Sequence, residues 1–209
     1  MDQDVFFMFC GTVTLLTLSP GPDIIFVLSQ SIQRGINQGV LISLGLITGL
    51  CIYTMLSVFG LSWILLEYNY VASVIKLIGA IYLGYLAFLS LPVNAMKLSE
   101  NKIQSFQNPY KTGLIMNLSN PKIMLFFLSL FPQFIFHKTL PINYQFFILG
   151  ITFIFIAFII FFLVSILAEK IGKNLKQNFY SSYFNYTTFL VLITISLSFF
   201  ISEINNLIK

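Results

Sequence analysis

Charge is what this chain has least of: only 9% of its 209 residues are Asp, Glu, Lys or Arg, against about 25% in an ordinary soluble domain. So few charges cannot cover a soluble surface, and with 57% hydrophobic residues the composition is that of a membrane protein. Histidine occurs once, as His137 in a loop beside Lys138, without a Ser, Cys or metal-ligand partner pattern, which argues against a hydrolase or a metal centre. The two cysteines, Cys10 and Cys51, each sit inside an apolar run and read as small buried hydrophobes, with no redox or metal spacing between them. No cofactor is implied. The net charge of +4 comes from Lys and Arg placed singly in short loops, so it reports topology and not nucleic-acid binding. A basic leader is missing too: the chain opens Met1-Asp2-Gln3-Asp4, so its first hydrophobic segment is expected to remain in the mature protein.

What is abundant is apolar length. Taking about 20 apolar residues per crossing, six segments emerge, at 5–30, 40–65, 71–91, 112–136, 144–168 and 187–201, the last being the shortest. The 24 Phe, ten Tyr and single Trp suit contact with the lipid bilayer and its interfacial belt. Connections one, three and five carry Arg34, then Lys97, Lys102 and Lys111, then Lys170, Lys173 and Lys176. The opposite side carries only Lys138 and Lys209. Basic loops stay cytoplasmic, so both termini are expected outside. The expected fold is all-α: one polytopic domain over 1–209, with a first half at about 1–91, a cytoplasmic connection at about 92–111 and a second half at about 112–209.

Three crossings per half make any internal repeat an inverted one, and two stretches one hundred residues apart point to it. Leu18-Ser19-Pro20-Gly21-Pro22-Asp23 and Leu118-Ser119-Asn120-Pro121-Lys122 each put a helix break and a charge inside an apolar run. At an offset of 100, Leu18, Ser19, Phe26, Leu28 and Ser29 meet identical residues. Ser19, Ser119 and Asn120 are good N-caps for a restarted helix, and proline is tolerated in its first turn. Each restart exposes backbone N–H groups and a positive dipole end, which in antiparallel halves converge on an anion site such as a substrate carboxylate. Asp23 then accepts a substrate ammonium or a coupling proton, and Lys122 holds a carboxylate or balances Asp23. The bland alternative is that Asp23 compensates its helix dipole and pairs with Lys122 as a buried salt bridge.

Weaker signals surround these. Lys76 sits near the outer end of segment three, where its stem can snorkel to the interface or face the pathway. Gly39, Gly45 and Gly49 in segment two, and Gly79 and Gly84 in segment three, offer small faces for helix packing. Pro132-Gln133 shapes an outer gate or simply stops its helix. Arg34-Gly35 forms a turn. Segments five and six carry long Phe/Ile runs and are expected to complete the wall without choosing the substrate, apart from polar Thr152, Ser165 and Thr188.

Three stretches together resemble the LysE/RhtB family of bacterial amino-acid exporters. Ser19-Pro20-Gly21-Pro22-Asp23 followed by Arg34-Gly35 and Gly39 is similar to its first-helix signature. Lys76-Leu77-Ile78-Gly79-Ala80-Ile81-Tyr82-Leu83 is similar to its third-helix motif. Gly113 to Asn117, Asn120-Pro121-Lys122 and Phe131-Pro132-Gln133-Phe134 are similar to its fourth-helix pattern. The resemblance implies a small inner-membrane secondary transporter, not an enzyme, that exports amino acids in exchange for protons, with a homodimer as its suggested assembly. The residues expected to bind substrate or couple it are Pro20, Gly21, Pro22, Asp23, Asn117, Asn120, Pro121 and Lys122, followed by Ser19, Lys76 and Gln133. An exporter or channel for inorganic cations, which would want more carboxylates at mid-depth than Asp23, and a purely structural membrane protein are the alternatives.

Overall fold

Three of the prolines mark where helices begin. In the computed structural model, Pro22, Pro109 and Pro121 each open a helix at its first turn, where their missing N–H removes no bond. The structure describes residues 3–19, 21–62 and 108–171, with scattered helical positions between 74 and 88 and between 189 and 204. Among the described residues the regular structure is wholly helical. The helices are α1 (Gln3–Leu18), α2 (Pro22–Arg34), α3 (Ile36–Leu56), α4 (Pro109–Leu118), α5 (Pro121–Leu125) and α6 (Ile142–Ile171). A π turn at Ser57–Leu61 extends α3; a second at Phe126–Leu130 and a 3₁₀ turn at Phe131–Phe134 extend α5.

Two spans are long and apolar enough to cross a membrane alone, Ile36–Leu61 and Ile142–Ala168. Two more arise if each bent pair counts as one: α1 meets α2 at 54°, and α4 meets the extended α5 at 47°. The connections at 92–107 and 172–188 lie outside the described residues, and segments three and six are described only at scattered positions. At the described positions, Ser196 Oγ donates to the Ala80 carbonyl at 2.7 Å and Phe88 meets Phe189 edge-on at 5.6 Å, so segments three and six touch.

Between α2 and α3 the chain reverses at Gly35, whose φ of 83° lies in the left-handed region that favours glycine. The expected Arg34-Gly35 turn is present: the Gly35 N–H bonds the Ser31 carbonyl at 3.0 Å. After the 3₁₀ turn, fully buried Gln145 does the work of a turn. Its Oε1 accepts from the Phe136 and His137 N–H groups, both at 2.9 Å, and its Nε2 donates to the His137 and Leu140 carbonyls, both at 2.8 Å.

Small residues bring α3 against its neighbours, as expected of close packing in lipid, where hydrophobicity does not drive helices together. A Cβ on Gly45 would strike the Tyr110 carbonyl oxygen and stand 2.7 Å from Leu114 N; one on Gly113 would strike the Ile42 carbonyl oxygen. The α3–α4 crossing is thus glycine against backbone from both sides. Gly150 of α6 meets Thr54, and Gly39 meets Ser31 and Ser165. Gly79 lies outside the described residues.

Phenylalanine departs from the lipid role read from composition. Seven of the bulkiest fully buried side chains are Phe9, Phe126, Phe127, Phe131, Phe134, Phe146 and Phe153. Their rings interlock, with Phe9 edge-on to Phe134 at 5.2 Å and Phe126 edge-on to Phe153 at 5.2 Å. The reason is dispersion: flat rings pack densely in edge-to-face pairs, which lipid tails cannot match. Phe7, Phe59 and Phe155 remain outward-facing.

Because both helix faces at the α3–α4 crossing lack space for a side chain, Gly45→Val and Gly113→Val each overpack it, at a cost of about 1–3 kcal/mol. Gly11→Val, where a Cβ meets nothing within 4 Å, leaves stability unchanged. Thermal unfolding of the three variants in detergent checks the contrast.

Candidate functional site

A helix that stops inside an apolar protein leaves its last carbonyls without intrahelical donors. At the end of α1 those groups are met from the other half of the chain: Lys122 Nζ donates to the Leu16 carbonyl at 2.5 Å and to the Ser19 carbonyl at 3.3 Å. A cation at a helix C-terminus also opposes the negative end of the dipole. At the end of α4 the donor is a tyrosine: Tyr53 of α3 donates to the Leu118 carbonyl at 2.9 Å. Tyr53 stacks on Phe127 at 5.4 Å, and Phe127 stacks on Phe153 at 5.7 Å. Each break is therefore closed by a side chain from elsewhere in the chain.

Asn120 joins the two breaks. Its Oδ1 accepts from Lys122 N at 3.0 Å, capping α5, while its Nδ2 donates to Asp23 Oδ2 at 2.9 Å. One amide thus fixes the start of α5 and holds the carboxylate in the first turn of α2. The expected cap at Asn120 is present; the one at Ser19 is not. Gly21 occupies the N-cap position of α2 without a side-chain cap. The chain continues α1's last turn through Ser19, whose N–H bonds the Leu15 carbonyl at 2.7 Å, so its hydroxyl falls short of the next helix. Ser119 instead ends α4 as its C-cap. The direct Asp23–Lys122 bridge of the bland reading is also replaced: Asn120 stands on Asp23, and Lys122 is engaged by α1 carbonyls.

These residues border one cavity of about 20 Å³, room for a water molecule. Ser19, Gly21, Asp23, Asn117, Asn120 and Lys122 all line it, so six of the residues expected from sequence come together. Pro22 and Pro121 flank it as exposed first-turn residues. Gln133 is elsewhere, its Nε2 donating to the Ser129 carbonyl at 3.0 Å within its own helix. Pro20 and Lys76 lie outside the described residues.

Two oxygens in this cavity's lining residues have no donor. Asp23 Oδ1 and Asn117 Oδ1 are buried and unpartnered, although buried polar groups are normally bonded. Gly49 makes room for Asn117, since a Cβ there would strike Asn117 Oδ1. These two oxygens therefore remain acceptors to which no group in the site donates. Both can accept from a group that brings N–H or O–H donors.

Apart from Thr17, the rest of the wall is apolar, and sequence reasoning did not single out its residues. Leu16, Ile24, Leu50 and Ile123 contribute, as do Phe153, Ala157 and Phe161 of α6, so segment five forms part of the wall of this cavity. Its inward stripe repeats every four residues, the spacing of one helix face, and Ala157 interrupts a run of large residues. That interruption was the available signal.

The chain matches the family described as LysE type translocator over residues 14–203. It belongs to the LysE type translocator family. The chain is accordingly a membrane transporter and not an enzyme. It is 28% identical over 190 residues to the uncharacterized membrane protein YrhP of Bacillus subtilis (strain 168), covering 86% of this chain and 90% of that one. It is 33% identical over 178 residues to the homoserine/homoserine lactone efflux protein of Salmonella typhimurium (84% and 86% covered). To the leucine efflux protein of Salmonella choleraesuis it is 31% identical over 147 residues (68% and 69%). No solved structure matches the chain.

In this LysE type translocator the clasp is also structural, so its members differ in how much they hold. Lys122→Met strands two carbonyls and loses about 1–3 kcal/mol for each that stays buried. Asn120→Ala loses a helix cap, about 1 kcal/mol, and one bond to Asp23. Tyr53→Phe removes a single neutral bond of about 1 kcal/mol. The expected order of unfolding midpoints in detergent is Tyr53→Phe highest and Lys122→Met lowest.

Proposed function

We propose that this chain is a secondary transporter that exports amino acids or their close derivatives across the bacterial inner membrane in exchange for protons. The observation that carries this reading is the pair of buried acceptors, Asp23 Oδ1 and Asn117 Oδ1, left without a donor where the two helix breaks meet. An α-ammonium group supplies three N–H donors and a positive charge, which complements a carboxylate and an amide oxygen. The substrate carboxylate turns to the backbone N–H groups at the start of α2, whose first turn has no intrahelical acceptors. Kinship to proteins named for leucine efflux and for homoserine and homoserine lactone efflux supports an amino-acid cargo.

The fold in this proposal has six transmembrane helices in a 3+3 inverted repeat, with helices one and four each broken. Breaks ending at Leu18 and Leu118, one hundred residues apart, support it, as does the bend of similar size at each. The halves are about 1–91 and 112–209, joined on the cytoplasmic side, with both termini outside, as the Lys and Arg distribution favours. Substrate enters from the cytoplasm between the halves, and rocking of one half on the other exposes the site outward. A cavity of about 20 Å³ is too small for an amino acid, so this is a closed form that must open to load. Asp23 serves both as ammonium acceptor and as the carrier of the coupling proton: protonated, it releases the ammonium; ionised, it binds it.

Asp23→Asn keeps the bulk and the partner on one side but cannot hold a charge. It is expected to abolish pH-gradient-driven efflux of labelled amino acids from proteoliposomes while the protein remains folded in the membrane. Efflux at the wild-type rate would remove Asp23 from the mechanism.

A further inference from the structure

The polar side chains that line the cavity account for the part all amino acids share; the apolar ones must meet the part that differs. Along α6 the buried stripe facing the core reads Phe146, Leu149, Phe153, Ala157 and Phe161. Four of the five are large. Ala157 is the exception, and its methyl group is fully buried at the cavity wall between two phenylalanines that line the same space. A small residue facing a neighbouring helix backbone merely permits close packing, as Gly45 and Gly113 do. A small residue bordering a void leaves room, and room in a transport site is what a substrate side chain needs.

We infer that Ala157 sets the size of the substrate side chain, and that this side chain is uncharged and apolar. The inference rests on the exporter reading above and deepens it. Leu16, Ile24, Leu50 and Ile123 from four other helices line the same cavity, all aliphatic, with Thr17 of α1 beside them. The only two ionisable side chains lining the cavity are already committed, Lys122 to the carbonyls of α1 and Asp23 to Asn120 and the proposed ammonium. A charged substrate side chain would therefore be desolvated without a partner, which is costly. An aliphatic one replaces lipid-like contacts by similar ones. Because neighbouring residues on the stripe are already large, Ala157 is the position on α6 where added volume goes directly into the site.

The test measures ratios, which do not depend on how much protein folds. Wild-type protein, Ala157→Leu and Ala157→Gly are reconstituted in proteoliposomes loaded with labelled alanine, leucine, phenylalanine or lysine. Wild type is expected to move leucine and to leave lysine at background. A methylene is worth about 10- to 200-fold in a fitted apolar pocket, so Ala157→Leu should lower the leucine-to-alanine efflux ratio by at least about tenfold. Ala157→Gly, which cannot overfill the site, should raise the phenylalanine-to-leucine ratio. Efflux in which both ratios keep their wild-type values overturns the role of Ala157 alone, and efflux of lysine in preference to leucine overturns the apolar-substrate assignment. If wild type moves none of the four, the exporter reading fails and this inference fails with it.

Discussion

Everything in this structure turns on the backbone groups that two broken helices leave open in an apolar interior. A stopped helix ends in carbonyls without intrahelical donors, and each one left unsatisfied in an apolar setting is expensive. The chain answers each break with a donor from another element: Lys122 for the end of α1, Tyr53 for the end of α4. The first of these donors comes from the second break, so neither break can be removed without disturbing the other. Asn120 tightens the link, because the amide that starts α5 is the amide that holds Asp23.

That solution leaves an imbalance, and the proposed function rests on it. Lys122 is the charged donor at the site, and α1 takes two of its three N–H groups. What remains unanswered is an excess of acceptors, one oxygen of Asp23 and one of Asn117. Around the acceptors the glycines of α3 allow close approach, Gly49 admitting the Asn117 side chain and Gly45 the backbone of α4. Small residues that pack helices tightly thereby also fix the geometry of the polar cluster.

The breaks, the charges and the packing glycines were legible in the sequence because each is an exception within an apolar run. Asp23, Lys122 and Asn120 stood out for that reason, and the cavity gathers all three. The partners of those residues were not legible. In a membrane protein the lipid-facing and protein-facing sides are equally apolar, so nothing in the composition distinguished buried Phe126 and Phe153 from outward Phe155. The same ambiguity hid Phe153, Ala157 and Phe161 as walls of the site. Tyr53 was missed because a tyrosine in an apolar run reads as an interfacial residue until its hydroxyl is seen on the Leu118 carbonyl. Ser19 misled in the opposite direction: a good cap by type, it falls within the last turn of α1 instead of opening α2.

Whether the unpartnered acceptors receive an ammonium group is decided most directly by equilibrium competition at neutral pH. Purified protein is saturated with the labelled amino acid it exports fastest, then challenged with two analogues of the same side chain, the amine lacking the carboxylate and the acid lacking the amine. The account predicts that the amine displaces the label and the deaminated acid does not. Displacement by the acid, with the amine inert, would mean that the two breaks are built around a carboxylate and that Asp23 and Asn117 do not bind the substrate's ammonium.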